Sequence, residues 1–223
     1  AAEVGVEQVV YLGTACSYPK EMQMETGRPP LVEDDVYPAN PESAYGWSKL
    51  MGEFELDLVA RYSGMNIGIL RLHNVYGPRA ILSRKRSQVI PSLIRKAILY
   101  PGEDFIVWGT GKQARDFVFV GDVIDAILRT PLKGMDQGVI QIGTRTETSV
   151  AELASMIVHI SGKDIPIKFD PTKPEGDIGR SGNYDKAKSI LGWDVFTNME
   201  DGLRQTYEWA VREITNKSTD LDG

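Results

Sequence analysis

The chain has 223 residues, 42% hydrophobic and 25% charged, with a net charge of −6 and a pI near 5.1. That is the balance of a soluble globular protein long enough for one large core or two smaller ones. The acidic balance argues against a nucleic-acid or anionic-membrane partner, which needs a basic field, although a local basic patch can still bind a small anion. No apolar run approaches the ~18 residues of a membrane span, and the N-terminus lacks the charged-then-apolar order of a signal peptide. The single cysteine, Cys16, cannot close an internal disulfide, so a reducing, cytoplasmic setting is expected.

In chain order, "QVVYLGT" (8–14) is dense in β-formers and predicts a buried strand. The proline-rich stretch 17–43 is a loop of a length that is uncommon without a function. A helix is predicted from Ala44 to about Ser63, with Leu50, Phe54 and Leu58 on one stripe, Tyr45 and Lys49 on another, and Gly64 as its stop. "NIGILRLHNVYGP" (66–78) predicts a second buried strand ending in a turn, and the order strand, helix, strand suggests a parallel crossover. A basic loop, "RAILSRKRSQ", leads into an apolar helix over 89–99.

Residues 104–120 predict two strands around a glycine turn, 122–129 a helix and 138–144 a strand. Ser149 and Glu152 have capping-box spacing before a helix with Val150, Leu153, Ala154 and Ile157 inside and His159 at the surface. A strand over 165–170 and a helix near 184–191 follow. Thr197 and Glu200 offer a second capping box, before a helix with Leu203, Tyr207, Ala210 and Ile214 inside. The polar tail 215–223 predicts disorder, and there is no internal repeat. A fully buried parallel strand wants neighbours on both edges. Since a single candidate neighbour follows closely, the sequence reads as beginning partway through a domain.

Tyr45 and Lys49, at i and i+4, share a helix face. An ammonium beside a phenol favours the phenolate, which makes a general acid or base; two residues snorkelling on a surface helix have the same spacing. Thr14 and Cys16, at i and i+2, point to one side if the strand is still extended there, at the strand end where open α/β sheets place their sites. Cys16 is either a small buried hydrophobe or, next to a cation, an acid/base thiolate. Trp47 and Trp108 read as core. No Cys/His cluster has metal-ligand spacing, and no metal is expected.

The ordered motifs "LGTACSYP", "AYGWSK", "RLHNVYGP", "WGTGKQARDFVFVGDV" and "GR" before "LGW" resemble those of extended short-chain dehydrogenase/reductases, specifically the NAD-dependent epimerases of nucleotide sugars. The resemblance runs from about Val9 to Trp209 and is nearest, within the family, to the GDP-mannose 3,5-epimerase and GDP-fucose synthase branches. It implies an α/β fold: the C-terminal part of a doubly wound, Rossmann-like parallel sheet (1–78), a mainly substrate-binding lobe with segments returning to the sheet (79–214), and the tail.

It also implies roles. Tyr45 and Lys49 hold the nicotinamide ribose of NAD, or NADP, and move the hydroxyl proton. Thr14 takes the catalytic Ser/Thr position, and Cys16 moves a proton beside a keto group. Leu72, Asn74 and Val75 run past the cofactor. Asn74, Gln88, Arg115 and Arg180 face the nucleotide sugar, His73 either lines that site or belongs to the core, and a homodimer forms through the Tyr45 helix. Gln88 stands where relatives keep a second proton carrier, and glutamine transfers no proton at ordinary pH; Lys85 is the plausible acid nearby. The family's glycine-rich phosphate loop does not appear. "GDIGRSG" (176–182) has the glycine spacing, but two prolines separate it from the preceding strand, so it reads as a flexible loop carrying Arg180. The alternatives are a 4-epimerase, a 4-keto reductase, or a non-catalytic homologue that binds sugar nucleotide.

Overall fold

The structure is a computed structural model that describes residues 1–176 and 178–216. Its central element is a parallel sheet in the order β1 (Gln8–Thr14), β2 (Asn66–Leu72), β7 (Val139–Ile142). The register sets Thr14 opposite Leu72 and Leu72 opposite Ile142, so the three C-terminal ends are level. Helix α1 (Ala44–Ser63) connects β1 to β2. Its N-cap Ser43 accepts a hydrogen bond from Gly46 N at 3.1 Å, and Gly64 ends it in the left-handed region.

The buried stripe of α1 is not the one the four-residue spacing suggested. Gly46, Leu50 and Glu53 are buried, and Leu56 and Ala60 pack against β1 and β2. These are steps of three and four, the true helical period. Phe54 is 49% exposed and Trp47 42% exposed, so Trp47 is not core.

The expected strand 66–78 is two strands. At His73 the backbone leaves β7 (His73 N donates to Ile142 O, 3.0 Å) and joins β6 (Asn74 N donates to Asp116 O, 3.1 Å). β3 (Asn74–Tyr76) then runs parallel to β6 (Phe117–Phe119). After helix α2 (Val89–Leu99), the expected pair of strands in 104–120 is three short ones: β4 (Ile106–Trp108), β5 (Ala114–Arg115) and β6. Each pairs with a different partner: β4 with β9 (Lys168–Asp170), β5 with β8 (Thr148–Ser149), β6 with β3. Three pairings cannot form from one hairpin, and the glycine turn only links them.

Helices α3 (Val120–Arg129) and α5 (Asp185–Leu191) pack with β2, β7 and Trp193 around one core, which includes Leu70, Ile140, Ile142 and Ala126. A second core joins α2, α4 (Val150–Ser161) and α6 (Met199–Asn216) around Phe105, Val107 and Phe117. The Ser149–Glu152 capping box forms, and Val150, Leu153, Ala154 and Ile157 are buried; His159 is exposed. The second box does not form as expected. Asn198 Oδ1 accepts from Asp201 N at 2.9 Å, while the Thr197 hydroxyl donates to Asp122 Oδ1 at 2.6 Å. Of the tail expected to be disordered, Thr215 and Asn216 belong to α6, and 217–223 lie outside the described residues.

Candidate active site

The site lies at the level C-terminal ends of β1 and β2. Thr14 is the last residue of β1 and is buried. Its Oγ1 accepts from Cys16 N at 3.3 Å and so caps a 3-10 turn, Ala15–Ser17. Cys16 therefore lies in a turn, not on an extended strand, and the same-side geometry expected for i and i+2 does not apply. A different contact places the half-buried thiol: Arg180 Nη2 lies 3.8 Å from Cys16 Sγ and 3.2 Å from Asn74 Oδ1. Thr14, Cys16, Asn74 and Arg180 thus form one group, drawn from β1, β3 and the segment before α5.

Tyr45 opens α1 and is 54% exposed. The next residue brings the helix down on the turn: a Cβ on Gly46 would lie 2.2 Å from Cys16 O and 2.9 Å from Pro41 Cβ. Only glycine admits that approach. Lys49 donates its ammonium to Leu12 O at 3.0 Å and stands 5.1 Å from the centre of the Tyr11 ring. Lys49 is thereby tied to the end of β1. Tyr11 donates its hydroxyl to Lys49 O, and its phenol is pushed up by burial, then by Glu53 and Tyr45.

Beneath this group is a buried polar lattice. His73 and Asp116 side chains are fully buried, with Nδ1 4.0 Å from Asp116 Oδ2. His73 Nε2 meets Gln141 Oε1 at 2.9 Å. That oxygen also accepts from Tyr18 OH at 2.6 Å, and the Gln141 amide nitrogen donates to Leu31 O and Asn183 O. The amide is therefore oriented, and His73 is the donor at Nε2. Burial pushes the His73 pKa down against the pull of Asp116, with Arg180 adding to the fall. Arg71, also buried, makes a two-pronged pair with Glu53 (3.2 and 2.6 Å) and lies over the Tyr18 ring. His73 thus supports the site from below the sheet end, through Gln141 and next to Asn74.

From Asn74 the surface opens into grooves. The larger, about 480 Å³, is walled by Arg84, Lys85, Lys96, Trp108, Gln113 and Arg115, among others. Lys96 is pushed down by burial and then by Arg95. Gln113 is buried, and its Oε1 has no hydrogen-bond partner among the described residues. Trp108 is 57% exposed at this groove, not core as expected. Two smaller cavities, about 330 and 270 Å³, share Gln88, Val75, Tyr76 and Pro91. Gln88 stands immediately before α2 and makes no side-chain cap. Asn74 lines both the 270 and the 480 Å³ cavities, so Gln88 and Arg115 lie on one continuous surface. Leu72 is half-buried at the end of β2.

Residues 178–183 are not a flexible loop. Gly182 N donates to Asp116 Oδ2, Arg180 O accepts from Asp116 N, and Leu31 bridges to Gly182. The glycines serve close packing, because a Cβ on Gly182 would lie 2.2 Å from His73 Nε2, and one on Gly179 would lie 2.4 Å from Glu25 O. The segment carries Arg180 inward and is no dinucleotide loop. Tyr45 and Lys49 stand beside the C-terminal end of β1, the edge at which open α/β sheets bind ligands. Gln23, Asp116 and Gln141 escaped the sequence reading; each is an ordinary polar residue in sequence, made important by partners far along the chain.

Comparison with known proteins agrees with this architecture. The model of the NAD dependent epimerase/dehydratase family matches residues 1–143. GDP-mannose 3,5-epimerase of Arabidopsis thaliana is 34% identical over 94% of this chain and 55% of its own length. GDP-L-fucose synthase 1 of the same plant is 30% identical over 97% of this chain and 67% of its own. UDP-glucose 4-epimerase of Thermotoga maritima, solved with UDP-glucose, superposes with a TM-score of 0.85 at 29% identity, covering 96% of this chain and 66% of that one. The chain spans just over half the length of the mannose epimerases it matches. With these matches, the level strand ends and the Tyr45–Lys49 helix seated on the Thr14–Cys16 turn have one account: the chain belongs to the NAD dependent epimerase/dehydratase family.

Proposed function

We propose that the chain carries the proton-handling residues and the substrate lobe of an NAD(P)-dependent nucleotide-sugar epimerase. Residues 1–78 belong to the cofactor side, and 79–214 mainly to the substrate lobe. The observation that carries the reading is the Arg180 guanidinium held between Cys16 Sγ and Asn74 Oδ1 at the C-terminal edge of a parallel sheet, the edge on which open α/β sheets bind ligands. A bound nicotinamide supplies the acceptor and donor of hydride.

The chain's residues supply the rest. Tyr45 takes the proton of the sugar hydroxyl as that carbon becomes a ketone and returns it when the hydroxyl is restored, so no proton or cofactor is consumed. Thr14 hydrogen-bonds the same oxygen. Lys49, with Leu72, Asn74 and Val75, borders the nicotinamide ribose. Cys16, as thiolate, takes a proton from the carbon beside the ketone, whose electrons shift into the carbonyl, exchanges it with solvent and returns a proton to that carbon, while hydride returned to the opposite face of the ketone would invert the carbonyl carbon. Arg115, Lys85 and Arg84 line the larger groove and suit a diphosphate, which a guanidinium pairs in a two-pronged way. Asn74, Gln88 and His73 belong to the sugar end, His73 through its neighbour.

The test is turnover of GDP- and UDP-sugars in deuterated water, with NAD raised until the rate no longer depends on it. Wild type is expected to place deuterium beside the inverted carbon, and Cys16→Ser to lose that label while hydride transfer remains. Inversion without label in the wild type favours the second reading, a UDP-sugar 4-epimerase, which the superposition on the Thermotoga enzyme and the non-ionisable Gln88 support. Binding of sugar nucleotide without any turnover leaves a non-catalytic homologue.

A further inference from the structure

The stretch 17–43 and the segment 178–183 are laced together. Gln23 O accepts from Ile178 N and Gly179 N at 3.0 and 3.3 Å. Leu31 N donates to Ser181 O at 2.9 Å, and Asn183 N to Leu31 O at 2.8 Å. On its other side the segment is tied to β5, through Ala114 N to Ile178 O and Asp116 N to Arg180 O. The backbone of Arg180 is thereby fixed, but its long side chain is not.

That task falls to Gln23. Its side chain is 2% exposed. The amide nitrogen donates to Tyr18 O at 2.9 Å and Pro19 O at 3.3 Å, which leaves Oε1 as the acceptor for Arg180 Nη1 at 2.5 Å. Nη1 also reaches Ala15 O at 3.3 Å. A guanidinium is planar, so fixing Nη1 aims Nη2, and Nη2 points at Asn74 Oδ1 and Cys16 Sγ.

We propose that Gln23 is a positioning residue for this site: it holds the Arg180 guanidinium so that its charge acts on the Cys16 thiol. The inference rests on the reading that Cys16 moves a proton. A neutral acceptor is the right group for the task. A carboxylate at the same place would give up the donations to Tyr18 O and Pro19 O and would neutralise the charge that the guanidinium presents to Cys16 Sγ. An apolar side chain would release the guanidinium. The long stretch 17–43 then has a function, because it brings Gln23 beneath the turn that bears the thiol.

The chain has one cysteine, so alkylation of the 223-residue protein by iodoacetamide, followed by mass spectrometry, reads Cys16 alone. The thiolate is the nucleophile. At pH 7, Gln23→Glu and Gln23→Met are each expected to slow alkylation about threefold or more. At about pH 10, above the ordinary thiol range, the variant rates should converge on wild type. Both variants lose the donations to Tyr18 O and Pro19 O, so thermal melting recorded alongside establishes that each is folded at the assay temperature. A wild-type rate for Gln23→Glu at pH 7 overturns the proposal. So does a deficit that persists at pH 10, since that reports altered access to the thiol. This readout needs neither sugar nor cofactor. A Cys16→Ser variant that still labels the sugar would sink the proton role of Cys16 and leave the alkylation result standing.

Discussion

His73 is buried against Gln141 and near Asp116, and its burial decides part of the response to acid. Burial pushes its pKa down from the ordinary value near 6.5. The unfolded chain takes up this proton near pH 6.5, whereas the folded chain takes it up only at lower pH. The stabilising contribution is therefore complete above about pH 6.5 and lost as pH falls toward the folded value. The melting temperature of wild type should fall between pH 6.5 and 5, and His73→Gln should flatten that slope; parallel slopes would refute the assignment. The Arg71–Glu53 pair is buried at both ends. Glu53→Ala leaves Arg71 without its counter-charge and should cost about 3–5 kcal/mol in urea unfolding; a loss below about 1 kcal/mol would show that solvent reaches the pair. Motif order singled out Thr14, Asn74 and Arg180, which the structure groups around Cys16. It did not single out Gln141, because its partner Tyr18 is 123 residues away in sequence.

Helix α1 and the turn Ala15–Ser17 meet through one missing side chain. Gly46→Ala would set a Cβ 2.2 Å from a backbone oxygen that cannot rotate away, so the helix start must shift. The expected cost is about 1–3 kcal/mol in stability, with turnover falling further than stability because Tyr45 is the neighbouring residue; turnover that tracks stability alone would separate Tyr45 from the chemistry. Strands and helices with clear periodicity were legible, and β1, α1 and α2 have the expected bounds. The break at His73 was not, since no glycine or proline marks it between Ile69 and Tyr76 and the run carries no sign of which strand pairs with which half. The start of α6 shows the same limit. Thr197 and Asn198 are both good capping residues, and Asp122 decides between them by engaging the Thr197 hydroxyl.

The outer face of α1 exposes Trp47, Met51, Phe54 and Tyr62, the last 88% exposed. We propose that this apolar face forms a homodimer through the Tyr45 helix. Phe54→Glu should convert a dimer to a monomer in light scattering; a wild-type monomer at tens of micromolar would overturn this. The cofactor tests the molecule as a unit. Residues 178–183 are packed against 17–43 and β5, and the stretch 109–114, which has the spacing G-x-G-x-x-A, leads from β4 into strand β5 and not into the helix N-terminus that a pyrophosphate needs. The 223-residue chain should bind NAD weakly in calorimetry, and micromolar affinity would overturn that expectation.

By itself the sequence determined the family, the parallel crossover and the identity of the acid/base candidates, because motif order and hydrophobic period are local or one-dimensional properties. The tertiary structure alone decided that Cys16 lies in a turn beside Arg180, that the expected flexible loop is the clasp carrying that arginine, and that Gln23 aims it. Those facts depend on contacts between segments more than 150 residues apart, where hydrogen-bond partners are chosen by packing and not by neighbours in the chain.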